Sequence, residues 1–323
     1  METAMNAGNT NEFDDLLKKK KKSKRKADAL RVLPLFLMML PGLIYLVCNN
    51  YLPMFGILIA FKKVDFSIGI FKSPWVAFKN FEFLFATKDA AIMIRNTLLY
   101  NIVWIALGTV IAIFIDLCMA EIANRPIAKV IQPIICFPSM VSAVILSYIV
   151  YGFLSTTYGF INNGILGGAR INFYATAKYW PLILTIVHFW QSSGQSSIIY
   201  MASIGGIDKG LYESARIDGA TKMKQIVYIT LPLLRPMIIL MLLMAVGKIF
   251  NSDFGMFYQV PLNSGLIYST TQTIDTYVYR ALLEMNNVGM SSAASVFQAI
   301  LGFLLVVVSN AVVRKVDSDS ALF

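Results

Sequence analysis

Long apolar runs alternate with short polar segments along this chain. A bilayer core takes about 20 apolar residues of helix. Six runs reach that length: about Val32 to Phe61, Asn96 to Met119, Val130 to Tyr151, Trp180 to Ile204, Leu233 to Phe257 and Ala293 to Val313. The first is longer than a crossing needs. It contains Pro34, Pro41 and Pro53, and Pro41-Gly42 and Pro53 are expected to start or kink helical segments. The pattern predicts an all-α polytopic membrane protein with six transmembrane helices. An even number of crossings puts both termini on one side.

One polar stretch stands apart, Glu213 to Pro236, between the fourth and fifth runs. Leu211 to Arg216 is a short run of helix formers, and Asp208 is its candidate N-cap. Gly219 follows Asp218, and glycine tolerates the positive φ of a sharp turn. Beyond it Met223, Ile226, Val227, Thr230 and Leu231 recur at helical spacing. Leu231-Pro232 and Pro236 mark the entry into the fifth run. The expected shape is helix, turn, helix, with the first piece along the membrane face and the second leading back into the bilayer. Ala215 and Ala220 are small enough for another surface to approach closely. The same residues also fit a hairpin packed on its own protein.

Composition agrees with the pattern. Hydrophobic residues are 57% of the chain and charged residues 14%, with a mean hydropathy of +0.64, against about 45–50% and 25% in soluble domains. The net charge of +10 is explained by topology rather than by nucleic acid, because cations collect in inside loops. Lys18 to Lys26, Arg125, Lys129, Lys209, Arg216, Lys222, Lys224, Arg314 and Lys315 fall on one side. The opposite loops carry few cations, except the first, with Lys63, Lys72, Lys79 and Lys88. Both termini and the 205–232 loop are therefore expected in the cytoplasm, in a multi-pass protein of the cell membrane. The Lys run is expected to touch anionic lipid headgroups. Cys48, Cys118 and Cys136 lie in or beside apolar runs without a CxxC and read as small buried hydrophobes. With one His in the chain, no metal site is expected.

The spacing E-S-A-x-x-D-G-A-x5-I-x2-I-x-L-P-x3-P resembles the EAA motif of binding-protein-dependent ABC importers. Glu213, Ala215, Asp218, Gly219, Ala220, Ile229, Leu231 and Pro232 match it; Ser214 replaces the usual second Ala, and Ile226 stands where Phe is common. Met39 to Gly42, Tyr51 to Met54, Ile59 to Lys62, Ser73 to Val76, Asn80-Phe81, Arg95 to Leu98, Ile198 to Ala202 with Gly206 to Asp208, and Ile274 to Arg280 are similar to the complex-sugar branch of these permeases. The resemblance implies a type I ABC importer permease fold. It implies a carbohydrate importer in which this chain pairs with a second homologous permease, two ATPase subunits and an extracytoplasmic solute-binding protein. Residues 1–31 become a basic N-terminal extension, 32–313 the permease domain and 314–323 a cytoplasmic tail. Within the domain, 205–236 is the coupling segment, and Glu213, Ser214, Ala215, Asp218, Gly219, Ala220, Leu231 and Pro232 are its ATPase-coupling residues. ATP and Mg would be held by the partner ATPase, leaving this chain without a cofactor.

The chain has no GxxxxGK[ST] phosphate loop, no HExxH and no GxSxG, and is not expected to be an enzyme. The alternative from another class is an ion-coupled secondary transporter, which usually carries mid-span ionisable residues and repeat-related broken helices. Asp116, Lys248 and Asp253 lie near span ends instead. The fourth run is unusually polar, with His188, Gln191, Ser192, Ser193, Gln195, Ser196 and Ser197. Two readings fit: a helix facing the substrate cavity, or Ser and Gln bonding to neighbouring helices. Tyr151, Trp190, Gln191, Asn251 and Asp253 are the candidates for the sugar path, since sugars need aromatic faces and polar partners. Tyr277, Tyr279 and Arg280 fit either a binding-protein contact or a loop brace.

Overall fold

The computed structural model describes residues 32–122 and 125–316. The Lys18 to Lys26 run and the end of the tail lie outside the described residues. Two units divide the chain, Met1–Leu58 and Ile59–Phe323. Among the described residues the secondary structure is helical, with one isolated bridge between Lys62 and Trp75.

The helices used below are α1 (Val32–Phe61), α2 (Lys88–Glu121), α3 (Arg125–Cys136), α4 (Ala143–Leu154) and α5 (Trp180–Gly205). They continue with α6 (Lys209–Ile217), α7 (Lys222–Gly247), α8 (Phe254–Gln259), α9 (Ile274–Leu283) and α10 (Val288–Val316). Four of them, α1, α2, α7 and α10, are long and apolar enough to cross a membrane. α3 and α4 together make a fifth candidate, bent by 94°. α5 has 26 residues, about 39 Å at 1.5 Å per residue, which is long enough to cross a core about 30 Å thick. Its polar residues keep it below the apolarity of the others. By length and apolarity the described residues hold four candidate spans, or five with the bent pair, against the expected six.

Proline writes its chemistry into two of these helices. In α1 the backbone widens into a π-turn at Val47–Tyr51, where the Leu52 N–H reaches the Val47 carbonyl. In α7 the same happens at Ile226–Thr230, with the Leu231 N–H bonded to the Ile226 carbonyl. A Leu-Pro pair follows each, Leu52-Pro53 and Leu231-Pro232. The proline ring lacks a donor and clashes with the carbonyl four residues back, and one extra residue in the turn relieves that clash.

The third expected span is not one helix. α3 contains Pro133, and a 3₁₀ turn at Phe137–Met140 carries Pro138. The Ser139 hydroxyl donates to the Cys136 carbonyl at 2.7 Å, and Ser142 caps the new helix, accepting from the Ile145 N–H. The fifth expected span also differs. It stops at Gly247 rather than near Phe257, and residues 248–253 turn back. The Asn101 amide donates to the carbonyls of Ile249 and Asn251, both at 2.8 Å, and the Gln298 amide to that of Phe250 at 2.8 Å. Side chains from α2 and α10 take the carbonyls that a continuing helix would have used. Cys48 and Cys118 are exposed in the isolated chain rather than buried, and Cys136 is half-buried.

Two buried clusters hold the second unit together. One gathers Phe83, Leu84, Met93, Phe250, Ile274 and Ala293. The other gathers Trp104, Leu146, Trp180, Leu184, Met256 and Ile267. Polar clamps join the segments between helices. The Asn80 amide donates to the carbonyls of Ala60 and Lys62 at 2.9 Å. Lys62 donates to the carbonyls of Phe71 and Ile70 and lies over the Trp75 ring. The Asn96 amide reaches the Gln272 carbonyl at 2.9 Å, and the Thr97 hydroxyl accepts from the Ile274 N–H at 3.0 Å. The short matches thus meet in pairs, Asn80 with Ile59 to Lys62 and Arg95 to Leu98 with the start of Ile274 to Arg280. Arg280 is buried, stacks 4.1 Å from the Tyr268 ring and donates to Asn263. It braces the 263–268 loop.

Candidate functional site

The segment 205–236 takes the helix-turn-helix shape. Asp208 caps α6, its carboxylate accepting from the Gly210 N–H at 2.9 Å. α6 ends in a Schellman turn: the Ala220 N–H donates to the Ala215 carbonyl at 2.8 Å, and the Gly219 N–H to the Arg216 carbonyl at 3.1 Å. This closure needs a left-handed residue at Gly219, whose φ is +76°. Thr221 then caps α7. Leu231 and Pro232 follow the π-turn of α7, where the chain changes from polar to apolar.

One side-chain contact ties α6 to α7, and a second ties the start of α7 to α2. The hydroxyls of Tyr212 and Thr230 are hydrogen-bonded at 2.9 Å, and Lys222 pairs with Glu121 at the end of α2. The buried Gln225 side chain donates to the Ala220 carbonyl at 3.1 Å. Much of the rest of α6 is bare. Leu211, Glu213, Ser214, Arg216 and Asp218 are exposed, and Ile217 is 86% exposed. Burying a side chain of that kind is worth about 1.5–3 kcal/mol, so α6 presents an unspent apolar residue flanked by charges of both signs. A cleft of about 560 Å³ lies alongside, bounded by the ends of α2 and α5 and by Tyr212, Glu213 and Arg216.

A second, smaller groove, about 420 Å³, runs between α2, α5, α7 and the 248–252 turn. On α5 it is lined by His188, Ser192, Ser196 and Tyr200, a four-residue spacing that keeps all four on one face. Across from them stand Asn101, Trp104 and Thr109 of α2, with Lys248, Asn251 and Ser252 from the turn. His188 stacks on Trp104, ring centroids 3.7 Å apart and 7° from parallel. The serine hydroxyls of this face donate back along their own helix, Ser192 to the His188 carbonyl at 2.7 Å and Ser196 to the Ser192 carbonyl at 3.3 Å. Their oxygens remain able to accept.

The five candidates for the sugar path are not gathered in this groove. Asn251 lines it. Trp190 is exposed and does not line it. The Gln191 amide donates to the Val141 carbonyl at 3.1 Å, bracing the bend between α3 and α4. Asp253 caps α8, accepting from the Met256 N–H at 3.0 Å. Tyr151 sits in a separate cleft with Ser155, Thr157, Asn172 and Tyr174. Burial, with the Tyr151 phenol beside it, raises the pKa of Tyr174, so that cleft is lined by neutral hydroxyls. The polar residues of α5 therefore divide by face, Gln191 bonding to a neighbour and Ser192 and Ser196 facing the groove. The i, i+4 spacing from His188 to Tyr200 was the signal for this. Trp104, Asn101 and Lys248 carried none, because a helix end and a distant span are brought together only by the fold.

A polar groove between apolar helices, with an exposed helix-turn-helix on the same scaffold, fits a membrane permease. The model of the family described as "Binding-protein-dependent transport system inner membrane component" matches residues 105–319, about two thirds of the chain. The polygalacturonan/rhamnogalacturonan transport system permease protein YteP of Bacillus subtilis is 33% identical over 304 residues, spanning 93% of this chain and 94% of its own. Protein LplB of Bacillus subtilis is 30% identical over 287 residues, spanning 88% and 90%. A chain of the crystal structure of a bacterial ABC transporter involved in the import of the acidic polysaccharide alginate superposes with a TM-score of 0.81 at 30% identity, covering 90% of this chain and 98% of its own. The chain belongs to the binding-protein-dependent transport system inner membrane component family. It is a multi-pass ABC transporter permease, and the ion-coupled secondary transporter is set aside.

Proposed function

We propose that this chain forms half of the translocation path of an ATP-driven importer of carbohydrate, in particular of oligosaccharides. The relatives support this reading: YteP is named for polygalacturonan and rhamnogalacturonan transport, and AraP of Halalkalibacterium halodurans, 24% identical over 272 residues, for arabinooligosaccharides. A second permease chain completes the path. ATPase subunits bind ATP and Mg, and a solute-binding protein delivers the sugar from the other face. Both termini and α6 lie on the cytoplasmic side, where ATP is.

The observation that carries the coupling role is the bare surface of α6 on a rigid mount. Ile217 and Glu213 are exposed, while the Schellman turn and the Tyr212–Thr230 bond fasten the helix to α7, whose first turn is paired with α2 through Lys222 and Glu121. A push on α6 is then transmitted to α7. Glu213, Ser214, Ala215, Asp218, Gly219 and Ala220 form the surface and turn that dock in the ATPase; Leu231 and Pro232 form the joint. Truncating one member of a buried, charged interface pair costs about 2–5 kcal/mol. Glu213→Ala and Gly219→Pro are accordingly expected to reach the membrane at wild-type levels but to lose ATP-driven oligosaccharide uptake in vesicles carrying the whole transporter. Normal uptake by both variants would remove α6 from the coupling role.

A further inference from the structure

Among the described residues, Lys248 is the only charged one lining the groove between α2, α5 and α7. It makes no ion pair or hydrogen bond through its ammonium among the described residues. Its usual intramolecular partners are already taken. As the residue after α7, it faces the negative end of a helix, but the carbonyls there are occupied: Ala245 accepts from the Lys248 N–H itself, and Ile249 and Asn251 accept from the Asn101 amide. The two nearby carboxylates are engaged as well. Asp253 caps α8, and Asp275 accepts from the Ser252 N–H and, at 2.8 Å, from the Ser252 hydroxyl. What remains in the groove is one free cation beside hydroxyl oxygens of Ser192 and Ser196 that can accept from a ligand.

We propose that Lys248 is a specificity-determining residue that receives the carboxylate of an acidic, uronate-containing oligosaccharide as it passes through the groove. This deepens the carbohydrate-import reading and rests on it. The chemistry matches group for group. Sugar hydroxyls donate to the serine oxygens, and the carboxylate supplies the anion that Lys248 lacks. Lys248 is exposed in the isolated chain, so a neutral sugar leaves its ammonium to water and gains nothing from it. An acidic one gains a charge-assisted hydrogen bond to it during transit.

The test uses the whole transporter, with its partner permease, ATPase subunits and binding protein, reconstituted in vesicles. The probes are di- to tetrasaccharides of galacturonate and of alginate, alongside neutral oligosaccharides. Losing a hydrogen bond to a charged group is expected to lower uptake of the acidic probes about tenfold or more in Lys248→Gln. Lys248→Arg should retain it, and ATPase stimulation by the loaded binding protein should persist in both. Equal uptake of acidic probes by wild type and Lys248→Gln would overturn the proposal. So would loss of ATPase stimulation in both variants, which would assign Lys248 to the fold or to a lipid phosphate. A wild-type transporter that takes up only neutral oligosaccharides would overturn this proposal and leave the carbohydrate reading standing. One that takes up no oligosaccharide would end both.

Discussion

Asp116 has no exposed surface, lies in the α2 span, and neither of its carboxylate oxygens has a hydrogen-bond partner among the described residues. Its electrostatic neighbours are the Ser197 hydroxyl and the Tyr200 phenol of α5, and Ser197 donates instead to the Gly194 carbonyl at 3.1 Å. A charged or polar group buried without a partner costs at least about 1–3 kcal/mol. Removing the charge should therefore help the fold. Asp116→Asn is expected to raise the thermal midpoint of the detergent-purified transporter by a few degrees, read by intrinsic fluorescence. A lowered midpoint would mean that the carboxylate finds a cation in the assembled complex. Gly219 carries the opposite kind of constraint. Its strain-free positive φ was visible in the sequence, because the need for glycine there is set by the few residues around it, and so was the cap at Asp208. Asp116 showed only as a charge near a span end; its isolation is a property of what α5 does not offer.

α5 touches the broken span through one missing side chain. A Cβ placed on Gly194 would come 2.1 Å from the Ile135 carbonyl oxygen and 2.7 Å from the Cys136 Cα, both backbone atoms that cannot rotate away. Overpacking of this kind costs about 1–3 kcal/mol. Gly194→Ala should thus lower the thermal midpoint and weaken transport. Gly205→Ala, at the end of the same helix with nothing within 4 Å of the added carbon, should leave both unchanged. Equal behaviour of the two variants would show that α3 and α5 do not depend on this contact. The same junction explains which elements were legible. Runs of apolar residues announced α1, α2, α7 and α10, and Pro53 and Pro232 marked joints, whereas the α-helical pattern continues through the break expected at Pro41-Gly42. The 94° bend and the stop at Gly247 did not appear in hydropathy. Ile249 and Phe250 are as apolar as the helix before them, and what ends the helix is the Asn101 and Gln298 amides, contributed from more than 45 residues away. Likewise Gln191 looked like a cavity residue because composition does not separate its face from that of Ser192, whereas the four-residue spacing from His188 to Tyr200 does.

At the scale of the molecule, the number of crossings decides what α6 can do. If α5 spans the membrane, the 155–179 segment and α6 lie on opposite sides; if α5 runs along or into the membrane without crossing, they share one side. Its 26 residues suffice in length, and its polar residues have somewhere to go other than lipid: Gln191 to the bend, Ser192 and Ser196 to the groove, and Ser197 to its own helix. A helix whose polar groups are satisfied by protein or face a cavity can cross despite a modest apolar content. Tyr158, 86% exposed before α5, and Ile217, 86% exposed after it, flank this helix and no other candidate span. With Cys48, Cys118 and Cys136 replaced by alanine, Tyr158→Cys is expected to react with a membrane-impermeant maleimide added to intact cells. Ile217→Cys is expected to react only after the cells are opened, and then to be shielded when the ATPase subunits are bound. Labelling of both from the outside, or of neither, would remove α5 from the crossings and put α6 out of line with the proposed coupling. Opposite labelling with shielding at Ile217 would join the topology, the docking helix and the polar groove in one path, since α5 carries the groove face and leads directly into α6.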